Sequence, residues 1–145
     1  AQVFENDTTG RAAIGHGYTY SGHPVGAAAA LACLAETQRL NVKDNAAARG
    51  AELFAGLQAL QAKHEAIGDV RGGYGLMLAL EMVADRATKK PADKAAPATV
   101  QSVAYKAGTM VRVSGPNIIL SPPLVLTSAD VQVILSSLDE GFSAL

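Results

Sequence analysis

At 145 residues, 49% hydrophobic and 17% charged, the chain is long and apolar enough to bury one core and is not a disordered tail. Twelve basic residues stand against 13 acidic ones, and no basic run exceeds Lys89-Lys90, so the electrostatic footprint of a nucleic-acid or anionic-membrane binder is missing. No apolar run is long enough to span a bilayer, nothing resembles a signal peptide, and the single Cys33 excludes an internal disulfide, which is compatible with a reducing cytoplasm.

The chain opens on Ala1-Gln2-Val3-Phe4 without a Met and moves through the polar turn Asn6-Asp7-Thr8-Thr9-Gly10, a beginning expected of a cut inside a longer chain. Next comes the segment densest in chemistry, Gly15-His16-Gly17-Tyr18-Thr19-Tyr20-Ser21-Gly22-His23-Pro24. Its glycines allow tight turns or a close approach to a ligand, and Thr19, Ser21 and two tyrosines supply hydroxyls. Two readings stand side by side. Amides of a Gly-rich turn, a Thr hydroxyl and a helix N-terminus close behind are parts from which phosphate sites are built. The same residue types also make a plain turn that caps a helix.

From Pro24 to about Leu40 the spacing predicts a helix that is apolar on every face until its last turn, expected to be buried on nearly all sides with Cys33 in the core. Small residues from Gly26 to Ala30 permit close approach by another element, either a second helix of the chain or another subunit. Residues 43–64 read as an amphipathic helix burying Ala47, Leu53, Leu57 and Leu60, with Lys43, Asp44, Arg49 and Glu52 turned to solvent. Residues 67–72 and 74–82 read as two strands meeting at Gly72-Gly73 in a hairpin or bulged turn, and 87–98 as a surface loop. A short helix over 99–107 ends at Gly108. A second strand pair, 110–113 and 117–120, folds around Ser114-Gly115-Pro116, and Ser121-Pro122-Pro123-Leu124 ends the sheet. Thr127-Ser128-Ala129-Asp130 opens the last helix as a capping box with Asp in place of Glu, and Val131, Ile134, Leu135, Leu138 and Phe142 form its apolar stripe. This order describes an α+β domain, an antiparallel-rich sheet carrying helices on one face.

Among charged residues, Arg112 stands out, because an Arg between Val111 and Val113 and before a Gly-Pro turn is either a partly buried ion-pair partner or a receptor for a carboxylate. The six lysines fall on helix surfaces or in the 87–98 loop, and none has a setting that would make it a nucleophile. His16 and His23 have no Cys or carboxylate at ligand spacing, so no metal site is expected and they are read as holding the loop's shape. Ser21 with His23 lacks the Gly-x-Ser-x-Gly elbow of a hydrolase.

The run Gly-His-Gly-Tyr-Thr-Tyr-Ser-Gly-His-Pro-Val at 15–25, followed by the Ala-rich stretch 26–32, resembles the class III aminotransferases. These are fold type I enzymes that use pyridoxal 5'-phosphate and include the ω-amino-acid:pyruvate transaminases. Residues 69–77, 110–113 and 117–124 carry the same resemblance, and the order of elements extends it over roughly 11–145. It implies that 1–40 is the C-terminal edge of the large cofactor-binding domain, contributing the phosphate-contact loop and a long helix, and that 41–145 is the C-terminal small domain. It implies that Thr19, with the backbone beside Tyr18, reaches across a dimer interface to the phosphate of the cofactor held by the other subunit. Arg112, following Gly108-Thr109-Met110-Val111, corresponds to an Arg that binds the carboxylate of the amino or keto acid and swings away when the substrate has none. Arg71 corresponds to a structural ion-pair residue.

Transamination needs a Lys that bonds the cofactor and moves the proton, and a carboxylate on the pyridine nitrogen. In the family both lie upstream of the Gly-His-Gly-Tyr-Thr motif, so no catalytic residue is assigned within this chain and the chain alone is expected to be inactive. The function implied is that of the C-terminal portion of a cytoplasmic, homodimeric transaminase moving an amino group from an amine or ω-amino acid to a keto acid such as pyruvate. Its partners would be those small molecules and the remaining N-terminal part of the enzyme. A same-fold aminomutase of the glutamate-1-semialdehyde type is the alternative enzyme, although those relatives tend to carry Asn where this chain has His23. A non-catalytic phosphate-binding or interaction module is the alternative outside catalysis.

Overall fold

The computed structural model describes residues 2–12, 15 and 17–145, which divide into two units, 1–39 and 40–145. The first unit begins with a short helix, α1 (Gln2–Glu5), and a polar turn. There the Asp7 carboxylate accepts from the Thr9 hydroxyl, the Thr9 N–H and the Ala12 N–H, bonds that lower its pKa to about 2, the Thr9 hydroxyl contributing most. The loop at 15–23 leads into α2 (Pro24–Arg39), with Pro24 in the first turn, where its missing N–H costs nothing. Contrary to the expectation from composition, no residue of α2 is buried, and Cys33 is exposed. The reason is local: among the described residues of 1–39 there is no second long apolar element against which α2 could bury a face.

The second unit holds α3 (Val42–Lys63), β1 (Ile67–Arg71), β2 (Leu78–Asp85), β3 (Lys90–Pro91), α4 (Ala95–Lys106), β4 (Arg112–Ser114), β5 (Asn117–Leu120) and α5 (Ser128–Ser143). Its sheet is antiparallel in the order β1-β2-β5-β4, with β3 paired to β2. Side chains of directly opposed residues share a face, so the register sorts them into two sets. Val70, Leu80, Ile118 and Val113 form one cross-strand row, and with Leu78, Met82 and Leu120 they turn toward the helices. Arg71, Ala79, Ile119 and Arg112 form the adjacent row on the opposite face.

Leu53, Leu57 and Leu60 of α3, Val100 and Ala104 of α4, and Val131, Ile134, Leu138 and Phe142 of α5 close the core over the first set. Each large side chain so buried contributes roughly 1.5–3 kcal/mol. This is the expected α+β arrangement, an antiparallel sheet with its helices on one side.

Several boundaries differ from those read in the sequence. The buried stripe of α3 runs through Val42 and Gly50, while Ala47 is exposed. The first two strands are joined by a loop at 72–77 rather than a tight hairpin, with Gly72, Gly73 and Gly75 at φ 129°, 94° and 81°. The 87–98 segment contains β3 and the start of α4, which begins at Ala95 because Asp93 Oδ1 accepts from the N–H groups of Ala95 and Ala96. Pro97, which looks like a breaker in the sequence, sits in the first turn, where it is tolerated. The predicted capping box of α5 is present, with Thr127 and Asp130 bonded reciprocally.

Two polar clusters fix how the helices meet the sheet. Arg86 donates to the carbonyls of Gln61 and His64, acceptors that the end of α3 leaves open, and to the carbonyl of Ile67 at the start of β1. Asp139 of α5 accepts from Lys63 Nζ at 2.6 Å and meets His64 Nε2 at 2.6 Å, while the His64 ring packs 5.6 Å from that of Phe142.

Gly50 brings α3 close against the 72–77 loop, since a Cβ placed there would fall 2.2 Å from the Gly75 carbonyl oxygen. Gly50→Ala is therefore expected to destabilise the chain by about 2 kcal/mol, read as a lower urea midpoint at unchanged slope. Gly17→Ala, where a Cβ meets nothing within 4 Å, is expected to leave the midpoint in place.

Candidate functional site

Two places carry chemistry, one in each unit. In the first unit, residues 18–23 form a hydrogen-bonded turn. Ser21 N–H donates to Tyr18 O at 2.9 Å, Tyr18 N–H donates to Ser21 Oγ at 3.1 Å, and His23 N–H donates to Tyr20 O at 3.1 Å. His23 then serves α2: its carbonyl accepts from Ala27 N–H at 2.9 Å and its Nδ1 from Gly26 N–H at 3.4 Å. The expected role of His23 in holding the loop's shape has this concrete form. His16 lies outside the described residues.

The turn is exposed and contains no acidic residue, and Thr19, at its tip, makes no hydrogen bond through amide or hydroxyl with another described residue. An anion bound here would find donors that need not be withdrawn from existing bonds and no carboxylate within the turn itself. A phosphate therefore fits the donor set of the Thr19 turn.

In the second unit a cavity of about 770 Å³ opens where residues 108–111 diverge from the sheet and 121–126 continue past it. Met110, Val111, Ile119, Pro122, Val133 and Ile134 make its walls largely apolar, and Arg112, the first residue of β4, reaches it from the ladder edge. Arg112 is exposed and forms no ion pair with any carboxylate of residues 40–145. Asp130, on the same cavity, is already engaged: its Oδ2 accepts from the Thr127 hydroxyl at 2.6 Å and the Thr127 N–H at 2.9 Å. Arg71 behaves differently, pairing with Asp69 at 2.9 Å and with Glu81, as expected of a structural residue. One arginine of the outward-facing row is thus neutralised within the sheet and the other is not.

The cavity walls are held by residues that the sequence did not single out. Asn45 of α3 donates through Nδ2 to Leu124 O at 2.8 Å and Leu126 O at 3.0 Å, fixing the segment after the two prolines. Glu52 accepts from Ser128 and Gln132 of α5 and pairs with Arg49, so this side of α3 is not simply solvated. Gln101 of α4 donates to Val111 O at 2.8 Å. An Asn, a Glu or a Gln on the polar side of a helix carries no periodic signal of such a partner, which becomes visible only with the tertiary pairing.

All six lysines are exposed. Among the described residues no group of three His, Cys, Asp or Glu side chains is placed to hold a metal ion, and no helix is long and apolar enough to cross a membrane.

The family model for class-III aminotransferases matches residues 1–142. The chain belongs to the class-III aminotransferases. Among the relatives, a taurine–pyruvate aminotransferase of Bilophila wadsworthia is 37% identical over 134 residues, covering 88% of this chain and 29% of its own. A homologue of ethanolamine-phosphate phospho-lyase from Caenorhabditis elegans is 33% identical over 130 residues, covering 88% of this chain and 28% of its own. Among solved structures, a PLP-bound amine transaminase from an uncultivated Pseudomonas species superposes with a TM-score of 0.83 at 44% identity, over 90% of this chain and 30% of that one. The class-III chain described here therefore spans under a third of the length of these relatives.

The Asp130 carboxylate is held below its ordinary range by the Thr127 hydroxyl first and the Thr127 N–H second. A depressed carboxylate contributes stability that is complete above its unfolded value, about 3.9, and is lost as pH falls through the lower folded value. Asp130→Ala is expected to lower Tm at pH 7, and the gap to the parent chain is expected to narrow below pH about 4, followed by thermal unfolding across a pH series.

Proposed function

We propose that this chain is the C-terminal portion of a pyridoxal 5'-phosphate-dependent transaminase that moves an amino group from an amine or ω-amino acid to a keto acid such as pyruvate. The observation that carries the reading is that Arg112, on a mostly apolar cavity, forms no ion pair with any carboxylate of residues 40–145. A planar fork of donors with no acidic partner among the described residues of its unit, beside largely apolar walls, favours a ligand ending in a carboxylate. The apolar walls would receive the rest of the substrate.

The cofactor, when bound, supplies the electron sink on which amino transfer depends. In this reading Thr19 donates its hydroxyl and amide to the cofactor phosphate, and the Tyr18–Ser21 bonds hold the turn in the shape that presents them. Donation across a homodimer interface, to a cofactor held by the second copy, follows the family pattern that the Gly-Tyr-Thr run matches. Residues 1–40 would then be the edge of the large domain and 41–145 the small domain. The remaining N-terminal part of the enzyme supplies the lysine that bonds the cofactor and the carboxylate on its pyridine nitrogen, and the assembled dimer works in the cytoplasm. The exposure of every lysine here supports that division, since a catalytic lysine needs a desolvated or otherwise perturbed setting. The 145-residue chain alone is accordingly expected to show no amino transfer.

Arg112 would grip a phosphate with the same fork as a carboxylate, and one relative is a phospho-lyase homologue. Two assays on the full-length enzyme separate these chemistries. Alanine formed from pyruvate and an amine, without phosphate release from ethanolamine phosphate, is expected. Phosphate release with no amino-acid product would overturn the proposal.

Two substitutions test the parts. Thr19→Ala in the full-length dimer is expected to weaken retention of the cofactor about tenfold, the loss of one hydrogen bond to a charged group, measured by its dissociation during dialysis. Arg112→Ala is expected to lower kcat/KM for pyruvate by about 10- to 100-fold, with a smaller effect on an aldehyde acceptor that has no carboxylate.

A further inference from the structure

Arg112 is the first residue of a three-residue edge strand, and its guanidinium lies at the end of a long flexible side chain. The placement of such a group depends on how firmly the peptide at its root is held. The segment leading to it is tied down step by step. Thr109 N–H donates to Ala104 O at 2.8 Å, the Thr109 hydroxyl donates to Ser137 Oγ at 3.0 Å, and Ser137 donates to Ala107 O at 3.1 Å. Thr109 and Ser137 are both buried, so these bonds are shielded from water.

The last tie before Arg112 is Gln101, half-buried on α4, whose Nε2 donates to Val111 O at 2.8 Å. Val111 is itself buried, and one residue later the chain enters the ladder at the pair Arg112 and Ile119. The Val111 carbonyl belongs to the same peptide unit as the Arg112 N–H, so fixing it fixes the plane from which the Arg112 side chain departs.

We propose that Gln101 is a positioning residue for the carboxylate receptor: by holding the Val111–Arg112 peptide it aims the Arg112 guanidinium at the substrate carboxylate over the cavity that Gln101 itself helps to line. The inference rests on the reading of Arg112 as that receptor. A bidentate grip tolerates little misalignment, so loosening the root weakens the grip without touching the chemical step. The consequence belongs in KM for acceptors that carry a carboxylate.

The test uses the full-length enzyme with Gln101→Met, which keeps length and removes the donor, and with Gln101→Leu as a second variant should the first unfold. Each is assayed with pyruvate and with propanal, an acceptor lacking the carboxylate, in the parent background and with Arg112→Ala. The expected result is a rise of about fivefold in KM for pyruvate, with kcat within about twofold, an unchanged KM for propanal, and no added effect when Arg112 is already Ala. An equal rise for both acceptors, or an added effect in the Arg112→Ala background, would make Gln101 a general structural residue and overturn the proposal. If Arg112→Ala itself left KM for pyruvate unchanged, the receptor reading would fall first, and the inference about Gln101 with it.

Discussion

The pairing of Arg112 with Ile119 at the edge of the sheet is the constraint on which the functional reading depends. A strand alternates its side chains with a period of two, so once Leu80, Ile118 and Val113 are committed to the core, the row beside them is committed to the other face. The apolar residues therefore decide where the arginine goes. A register slip of one residue would bury the guanidinium under α4 and α5 and expose the core row, at a cost no local contact could offset. Gly50 against Gly75, the Arg86 bonds to the end of α3 and the Asp139 cluster all serve to hold the helices over the face that makes this register obligatory.

Electrostatics then separates two residues that geometry treats alike. Arg71 and Arg112 stand in one cross-strand row, yet Arg71 meets Asp69 and Glu81 while no carboxylate of the second unit pairs with Arg112. The nearest acidic residue on its cavity, Asp130, has its bonds taken by Thr127. The Thr19 turn shows the same economy, with Tyr18, Ser21 and His23 carrying the internal hydrogen bonds and Thr19 left as donor. In both places the neighbours carry the internal bonds, while Thr19 and the Arg112 side chain pair with no other described residue of their own unit.

Much of the fold was legible in the sequence because it is written in periodicities. The Leu53, Leu57, Leu60 stripe, the apolar run at 118–120 and the Thr127–Asp130 cap are local patterns with local causes. The family was legible in the resemblance carried by the 15–25 run, and the class-III model matches residues 1–142. What could not be read depends on partners distant in the chain. Nothing near Cys33 says that the described residues of 1–39 leave its helix uncovered, and Pro97 looks like a breaker until Asp93 is seen to start the helix two residues before it. For Arg112 the sequence left an ion pair and a carboxylate receptor both open, since choosing between them required knowing which acids lie nearby. Asn45 and Gln101 spend their amides on backbone carbonyls 79 and 10 residues away, and no spacing rule reports such bonds.

The most direct measurement is a crystal structure of the full-length enzyme with cofactor and a bound keto acid or carboxylate inhibitor. The account predicts the ligand carboxylate in a two-point contact with the Arg112 guanidinium and the cofactor phosphate against the Thr19 hydroxyl of the opposite subunit. An Arg112 paired instead with an Asp or Glu from the rest of the enzyme, with the ligand carboxylate bound elsewhere, would contradict it.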